Sequence, residues 1–296
     1  MNQISCNICP RNCGADRTRT AGFCGGGSQV KLARAALHHW EEPCISGSRG
    51  SGTVFFSGCS LQCVYCQNYK ISAENFGREV STGRLGEIFM MLQEQGAHNI
   101  NLVNPTHYVP WILEALKSVQ GELTIPVVYN SGGYDQVETL KTLEGYVQIY
   151  LPDLKYYSSE KSARYSNAPD YFQVASQAVQ EMFRQTGPVQ LDADGIMQRG
   201  LMVRHLVLPG SRQDSMKLLD WLSQNLPTGQ YYISLMSQYT PFYHSGQFPE
   251  INRRISTFEY RQVADHLIDL GLTDGFMQEK SSAKEEYTPD FDLTGI

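Results

Sequence analysis

Three cysteines within eight residues, Cys59, Cys63 and Cys66, carry the most specific chemistry in this chain. They stand at C-x3-C-x2-C in the stretch Gly58-Cys59-Ser60-Leu61-Gln62-Cys63-Val64-Tyr65-Cys66-Gln67-Asn68, directly after the apolar run Thr53-Val54-Phe55-Phe56. Thiolates are the usual ligands of iron–sulfur clusters, and a [4Fe–4S] cube has one more iron than three thiolates can ligate. An open coordination position separates a reactive metal site from a closed structural one. No cysteine follows Cys66, so a bare iron would take a ligand other than a downstream cysteine. A zinc knuckle, three buried thiols, or a [4Fe–4S] site closed by a distant cysteine would use the same residue types.

A second set precedes it. Cys6-x2-Cys9-Pro10-x2-Cys13-Gly14 is followed by Gly22-Phe23-Cys24-Gly25. Four thiols interleaved with glycines, which let the backbone turn tightly, suit one tetrahedral site. Zinc on four cysteines and a second [4Fe–4S] cluster both fit; the neighbouring loop tips the reading toward the cluster. Cys44 stands apart in Glu41-Glu42-Pro43-Cys44 and reads as a small buried hydrophobe. His38 and His39 read as surface or packing residues. Ser46–Gly52 is glycine-rich without the Gly-Lys-Ser/Thr ending of a phosphate loop, and reads as a flexible lead-in to the first strand.

The elements that must hold these residues alternate in type. Candidate strands are Thr53–Phe56, Asn99–Val103, Ile125–Tyr129, Val147–Leu151, Met202–Leu208 and Tyr231–Met236, short runs rich in β-branched and aromatic residues. Candidate helices between and after them are Leu85–Gln95, Pro110–Val119, Val137–Leu143, Asp170–Gln185, Asp214–Asn225 and Thr257–Leu270. Repeated βα units imply a parallel sheet, and six of them an open, partial barrel. Ligands of such sheets bind at the strand C-termini, where Asn104 and Thr106, Asn130 and Ser131, Asp153 and Lys155 fall, with Arg204 and His205 inside the fifth strand. Asp153 and Lys155, two apart, share a face. Singly, each of these residues could equally cap a helix or pair locally. Asp192-Ala193-Asp194-Gly195 lacks the later acidic ligand of a calcium loop and reads as a turn.

The cysteine loop, with an aromatic (Tyr65) before its last cysteine, resembles the signature of the radical S-adenosylmethionine (SAM) enzymes. Beyond the loop, the chain resembles the pyruvate formate-lyase activating enzymes and, more closely, an uncharacterised group of their relatives with an N-terminal four-cysteine block. The residues that carry the likeness are Cys6–Gly14, Glu41–Pro43, Cys66–Asn68, Asn104–Tyr108, Leu151–Lys155 and Arg204–Gly210, within roughly residues 4 to 280. Two departures stand out. Asn104-Pro105-Thr106 replaces the Gly-Gly-Glu type motif of the activating enzymes, and those enzymes lack the N-terminal block.

The resemblance implies a partial (β/α)6 radical SAM barrel over 51–280, preceded by a cysteine-rich metal-binding extension (1–50) and followed by a polar tail (281–296). It implies Cys59, Cys63 and Cys66 on the catalytic [4Fe–4S] cluster; Cys6, Cys9, Cys13 and Cys24 hold the second metal. Tyr65 is expected near the adenine, with Asn104, Asn130, Asp153, Lys155 and Arg204 around SAM. Tyr239, Tyr243 and His244 are expected to floor the substrate mouth. A flavodoxin or ferredoxin would supply electrons. The substrate is either the glycine of a glycyl radical enzyme or a peptide or small molecule modified at an unactivated carbon; a non-enzymatic iron–sulfur or zinc redox sensor is the alternative. No residue is singled out as catalytic.

Composition bounds the partners. The chain has 296 residues, 41% apolar and 18% charged, an ordinary globular balance long enough for a sizeable core. A net charge of −6 argues against a nucleic-acid face. The start lacks a signal-peptide layout, no apolar run approaches membrane-spanning length, and all eight cysteines lie in the first 66 residues, which points to metal in a cytoplasmic protein over a secreted disulfide scaffold.

Overall fold

A computed structural model describes residues 6–278 and 289–296. The first strand, β1 (Val30–His38), leads through the short helix α1 (Pro43–Ser46) to β2 (Ser51–Phe56). The cysteine loop follows, then α2 (Tyr69–Ser72), β3 (Arg78–Val80) and α3 (Thr82–Glu94). Alternation is regular from there: β4 (Ile100–Val103), α4 (Val109–Ser118), β5 (Val127–Ser131), α5 (Val137–Lys141) and β6 (Ile149–Pro152). Helices α6 (Ser159–Ser166) and α7 (Tyr171–Thr186) precede a hairpin of β7 (Gln190–Leu191) with β8 (Met197–Leu206). The chain continues through α8 (Arg212–Asn225), β9 (Tyr232–Met236), α9 (Thr257–Asp269) and β10 (Gly275–Met277).

The sheet order is β10-β9-β8-β6-β5-β4-β2-β1-β3, with β7 on β8 alone. From β2 to β10 every neighbouring pair is parallel, so the six expected βα units form an open barrel wall. The last strand of the wall gains β10 as an outer neighbour. At the other edge β1 runs antiparallel to β2 and to β3. Residues 30–38, assigned from sequence to the N-terminal extension, therefore belong to the sheet. The C-terminal end packs on β1: Ala35 N donates to Thr294 O at 2.8 Å, and Phe291 stands edge-on to Phe55 with ring centres 5.4 Å apart. Residues 281–288 of the expected tail lie outside the described residues.

Local chemistry explains the element ends. Ser81 accepts from Arg84 N to start α3, and Ser256 with Glu259 forms a reciprocal capping box at α9, satisfying amide donors that a helix start leaves free. On α7 the buried residues Ala175, Ala178, Val179 and Met182 recur at helical spacing, so one stripe faces the sheet. Each aliphatic side chain so buried stabilises the fold by roughly 1.5–3 kcal/mol. Ser51 and Gly52 are inside β2, a correction to the flexible lead-in expected there. A side chain at Gly52 would come 2.9 Å from Asn99 O; glycine lets β2 lie close to the start of β4. Cys44 is buried beside Ile45, Val128 and Met202, the packing role expected of it. Asp192–Ile196 is the turn of the β7–β8 hairpin, its amides held by the Asp192 carboxylate. Among the described residues, no helix is long and apolar enough to cross a membrane.

Candidate functional site: the cysteine loop and the barrel mouth

The loop after β2 is shaped by backbone before side chains. Gly58 has φ +86°, and a Cβ there would stand 2.2 Å from Cys24 O, so only glycine allows the approach. Its neighbour Cys59 donates its backbone N–H to that same Cys24 oxygen at 3.0 Å. The two cysteine sets are thus joined by one hydrogen bond. Arg11 strengthens the union: Nε donates to Ser60 O at 2.6 Å, Nη2 to Ser166 O at 3.0 Å and Nη1 to Asn167 O, while its guanidinium covers the Phe23 ring at 4.3 Å. Gln62 reaches Phe23 O at 2.9 Å. The N-terminal block is a clamp on the cluster loop.

All eight cysteines are free thiols. Among the described residues, no three His, Cys, Asp or Glu side chains already stand in metal-ligand geometry. The donor set nevertheless fits a cluster. Each loop sulfur receives a donor: Leu61 N to Cys59 Sγ at 3.3 Å, Ser166 Oγ to Cys63 Sγ at 2.9 Å, and Ser72 Oγ to Cys66 Sγ at 3.2 Å. Burial, and then the neighbouring Cys63, push the Cys59 thiol up to about 11 and the Cys66 thiol to about 12. Such thiols ionise when a metal cation offsets their mutual repulsion. In the N-terminal set burial raises Cys24 too, while at Cys13 burial is outweighed by the Ala15 and Phe23 backbone amides, which lower it. Burial and then repulsion from Cys24, Cys6 and Cys13 outweigh the Arg11 backbone and hold Cys9 at about 12. The Cys13 and Cys24 sulfurs flank Gly22, 3.4 and 3.5 Å from where its Cβ would be.

Parallel register brings the polar strand ends together. Asp153 and Arg204 form a bridge just past the β6–β8 pairing. Arg204 Nε donates to Asp153 Oδ1 at 2.9 Å, Nη2 to Asn130 Oδ1 at 2.6 Å and Nη1 to Glu41 Oε2 at 3.3 Å. Lys155 Nζ donates to Asp153 Oδ2 at 2.6 Å. Burial alone would raise the Asp153 carboxyl; Arg204 and Lys155 outweigh it and hold the group below the usual carboxylate range. Burial alone would lower the Lys155 ammonium, but Asp153, Cys63 and Cys66 hold it up. Lys155 also acts on the Cys59 and Cys66 thiols, favouring their ionised forms. One buried ammonium therefore stands between a strand-end carboxylate and the cluster loop.

A cavity of about 550 Å³ opens beside this network. Asn130 and Arg204 are in its wall, with Gln67 and Asn68 next to Cys66 and Glu41 and Glu42 opposite. Asn101 donates to Glu41 Oε1 at 3.1 Å and Asn130 to the same atom at 3.4 Å. Glu41 and Glu42 went unassigned in the sequence. Their signal was indirect: buried Asn99 and Asn101 alternate inside a strand, which marks a polar barrel interior.

Other expected residues fall elsewhere. Asn104, at φ +61°, bonds Gly58 O and anchors the loop. Thr106 and Ser131 both donate to the buried Asp135 carboxylate, at 2.7 and 2.6 Å. His205 bridges Leu154 O and Ser215 Oγ in the core. The Tyr65 side chain does not face the cavity; it is buried among Tyr156, Tyr165 and Tyr239, its hydroxyl 2.6 Å from that of Tyr156. Neither does the Tyr239, Tyr243 and His244 group floor the mouth. Tyr239 donates to Ile251 O in the core, and Tyr243 is stacked between Tyr69 and His244. Met236 and Gln238 take the wall positions because β9 ends before the chain turns away. His38 and His39 are also in the wall, where packing alone was expected.

Comparison with known proteins agrees with this geometry. Residues 46–161 match a family model described as a 4Fe-4S single cluster domain. An uncharacterized protein of Methanocaldococcus jannaschii, MJ0674, is 29% identical over 273 residues, covering 88% of this chain and 73% of its own. Among solved structures, Streptococcus suis SuiB bound to its precursor peptide SuiA superposes with a TM-score of 0.51 at 13% identity over 75% of this chain, and this chain spans 46% of SuiB. A domain of the pyruvate-formate lyase-activating enzyme of Bacteroides vulgatus gives a TM-score of 0.40 at 16% identity, over 58% of this chain and 92% of that domain. The matched family model covers the cysteine loop and the strand ends as far as Lys155, and the barrel fold is shared with SuiB.

Proposed function

We propose that this protein holds a [4Fe–4S] cluster on Cys59, Cys63 and Cys66 and binds SAM across the mouth of its barrel to take a hydrogen atom from a substrate in the adjoining cavity. The observation that carries the reading is the position of Lys155, paired with Asp153 at 2.6 Å and within electrostatic reach of all three loop cysteines. A cation and a carboxylate side by side match the carboxylate and ammonium of an amino acid, and from beside the loop cysteines they would hold the cofactor's amino-acid end. Bound there, the cluster and SAM would supply the one-electron chemistry that removes a hydrogen atom from a substrate.

The chain's own residues do the rest. Lys155 and Asp153 orient the amino-acid end. Arg204 and Asn130 fix Asp153 and line the way to the substrate. Asn104, Arg11 and the Cys24 carbonyl hold the loop still, and the buried tyrosines behind Cys66 keep water away. Cys6, Cys9, Cys13 and Cys24 bind a second metal, a [4Fe–4S] cluster or zinc, and a flavodoxin or ferredoxin supplies the electron.

The acidic cavity wall favours a peptide or small molecule as substrate over the backbone glycine of a glycyl radical enzyme. Such a glycine presents amides and has no charge for Glu41 and Glu42 to meet. Anaerobic reconstitution with iron and sulfide, then dithionite and SAM, is expected to yield 5′-deoxyadenosine. Its absence from protein carrying the cluster would leave only the redox-sensing module. A partner protein gaining a glycyl radical signal by electron paramagnetic resonance would make this chain an activase.

A further inference from the structure

Three carboxylates, Asp153, Glu41 and Glu42, stand at or beside the cavity against two cations, Arg204 and Lys155. Asp153 is shared by Arg204 and Lys155. Glu41 takes Arg204 and the Asn101 and Asn130 amides. Glu42 feels the charge of Arg204 but no hydrogen bond from it: among the described residues its Oε2 is buried without a hydrogen-bond partner, as is Ser234 Oγ. Burial raises the Glu42 carboxyl, Arg204 pulls it back, Glu41 raises it again, and the Ser234 hydroxyl lowers it only slightly. Glu42 is 9% exposed and Ser234 1%, and both line the cavity. A buried carboxylate oxygen and a buried hydroxyl left unpaired are costly unless a ligand supplies the donors.

SAM does not meet this need in the reading above, on which this inference rests. Its amino-acid end is taken by Lys155 and Asp153, and its sulfonium faces a cluster whose three thiolates outweigh a dicationic core. The remaining wall near Glu42 is partly apolar, with Phe55, Met236 and Phe276. We infer that the substrate is an aliphatic compound or side chain ending in a protonated amine or guanidinium, read by Glu42 together with Ser234, its hydrocarbon lying against Phe55 and Phe276. Glu42 is thus a specificity-determining residue, and the substrate arrives with a positive charge.

The test is calorimetric titration of the reconstituted protein, with SAM present, using n-pentylammonium, n-pentanol and pentanoate, alongside a titration of SAM alone. The expected result is pentylammonium binding about tenfold or more tightly than pentanol, the yield of one charge-assisted hydrogen bond, and no binding of pentanoate. Glu42→Gln brings pentylammonium to the level of pentanol, and Glu42→Asp, which keeps the charge, restores part of the difference. Equal affinity of the wild type for the ammonium and the alcohol overturns the inference, as does a Glu42→Gln protein that binds the ammonium unchanged. Should Glu42→Gln fail to fold, the wild-type series decides. Loss of SAM binding itself would overturn the proposed function; SAM binding without discrimination among the probes overturns this inference alone.

Discussion

Replacing Arg204 with methionine tests whether the barrel mouth is organised by charge. The side chain keeps much of its packing volume but loses every donor to Asp153, Asn130 and Glu41. The pairs are deep, with Arg204, Asp153 and Glu41 side chains 16%, 19% and 10% exposed, so solvent does little to screen the loss. Removing one partner of a buried pair costs about 3–5 kcal/mol, roughly 5–8 °C in unfolding midpoint for a chain of this size. The loss has a signed pH dependence. Burial already raises Glu41, with Arg204 only partly offsetting it; without Arg204 it rises further, and the folded variant keeps a proton that the unfolded chain releases. Stability of the variant therefore falls as pH climbs above the ordinary glutamate value of 4.5, by about 1.4 kcal/mol per pH unit for each retained proton. In the wild type Arg204 holds Glu41 lower, so the same loss is smaller; Asp153, whose depressed value contributes stability above its ordinary 3.8 and loses it as pH falls through the folded value, acts only at more acid pH. Urea unfolding of both reconstituted proteins at pH 5 and 7 should show a wider gap at the higher pH. An equal gap at the two pH values would mean that Arg204 acts by packing alone, and the electrostatic argument would fail.

Three further outcomes are expected. Changing Cys59, Cys63 and Cys66 together to alanine should abolish SAM-dependent chemistry and the catalytic cluster's absorption; metal analysis of that variant then reads the N-terminal set, iron with sulfide meaning a second cluster and zinc a structural knot. Ser166→Ala removes the hydroxyl 2.9 Å from Cys63 Sγ and should lower the cluster's reduction potential, since hydrogen bonds to sulfur favour the reduced form; a redox titration without any shift would count against it. Gly58→Ala should destabilise far more than Gly96→Ala. Both have φ near +87°, but a Cβ at Gly58 meets Cys24 O at 2.2 Å while one at Gly96 meets nothing within 4 Å, so the second pays only the ~1–2 kcal/mol of left-handed backbone; equal thermal midpoints would contradict the loop geometry.

The cluster cysteines and the six βα units were legible because both are local patterns. Thiol spacing of three and two residues defines a loop whatever surrounds it, and short β-branched runs between amphipathic stretches leave one parallel arrangement open. Helix α6 escaped notice because Ser159–Ser166 is polar and lacks an apolar stripe. Strand β1 did too: it runs inside a segment dominated by cysteines, and its pairing with β2 is non-local. The side chains of Tyr65 and Tyr239 point into the core for a related reason, since a tyrosine next to a site can face the core as readily as the ligand.

What the linear order of residues determined by itself was the cluster chemistry and the strand-by-strand layout of polar ends. Which of those ends meet was decided only by tertiary structure. Register sets Asp153 against Arg204 and brings Glu41 and Glu42, more than 100 residues away in sequence, to the same wall; a single backbone hydrogen bond from Cys59 to Cys24 ties the two cysteine sets into one unit. Contacts between residues far apart in a chain depend on how the sheet closes and where each helix packs, and no spacing rule within the chain encodes them.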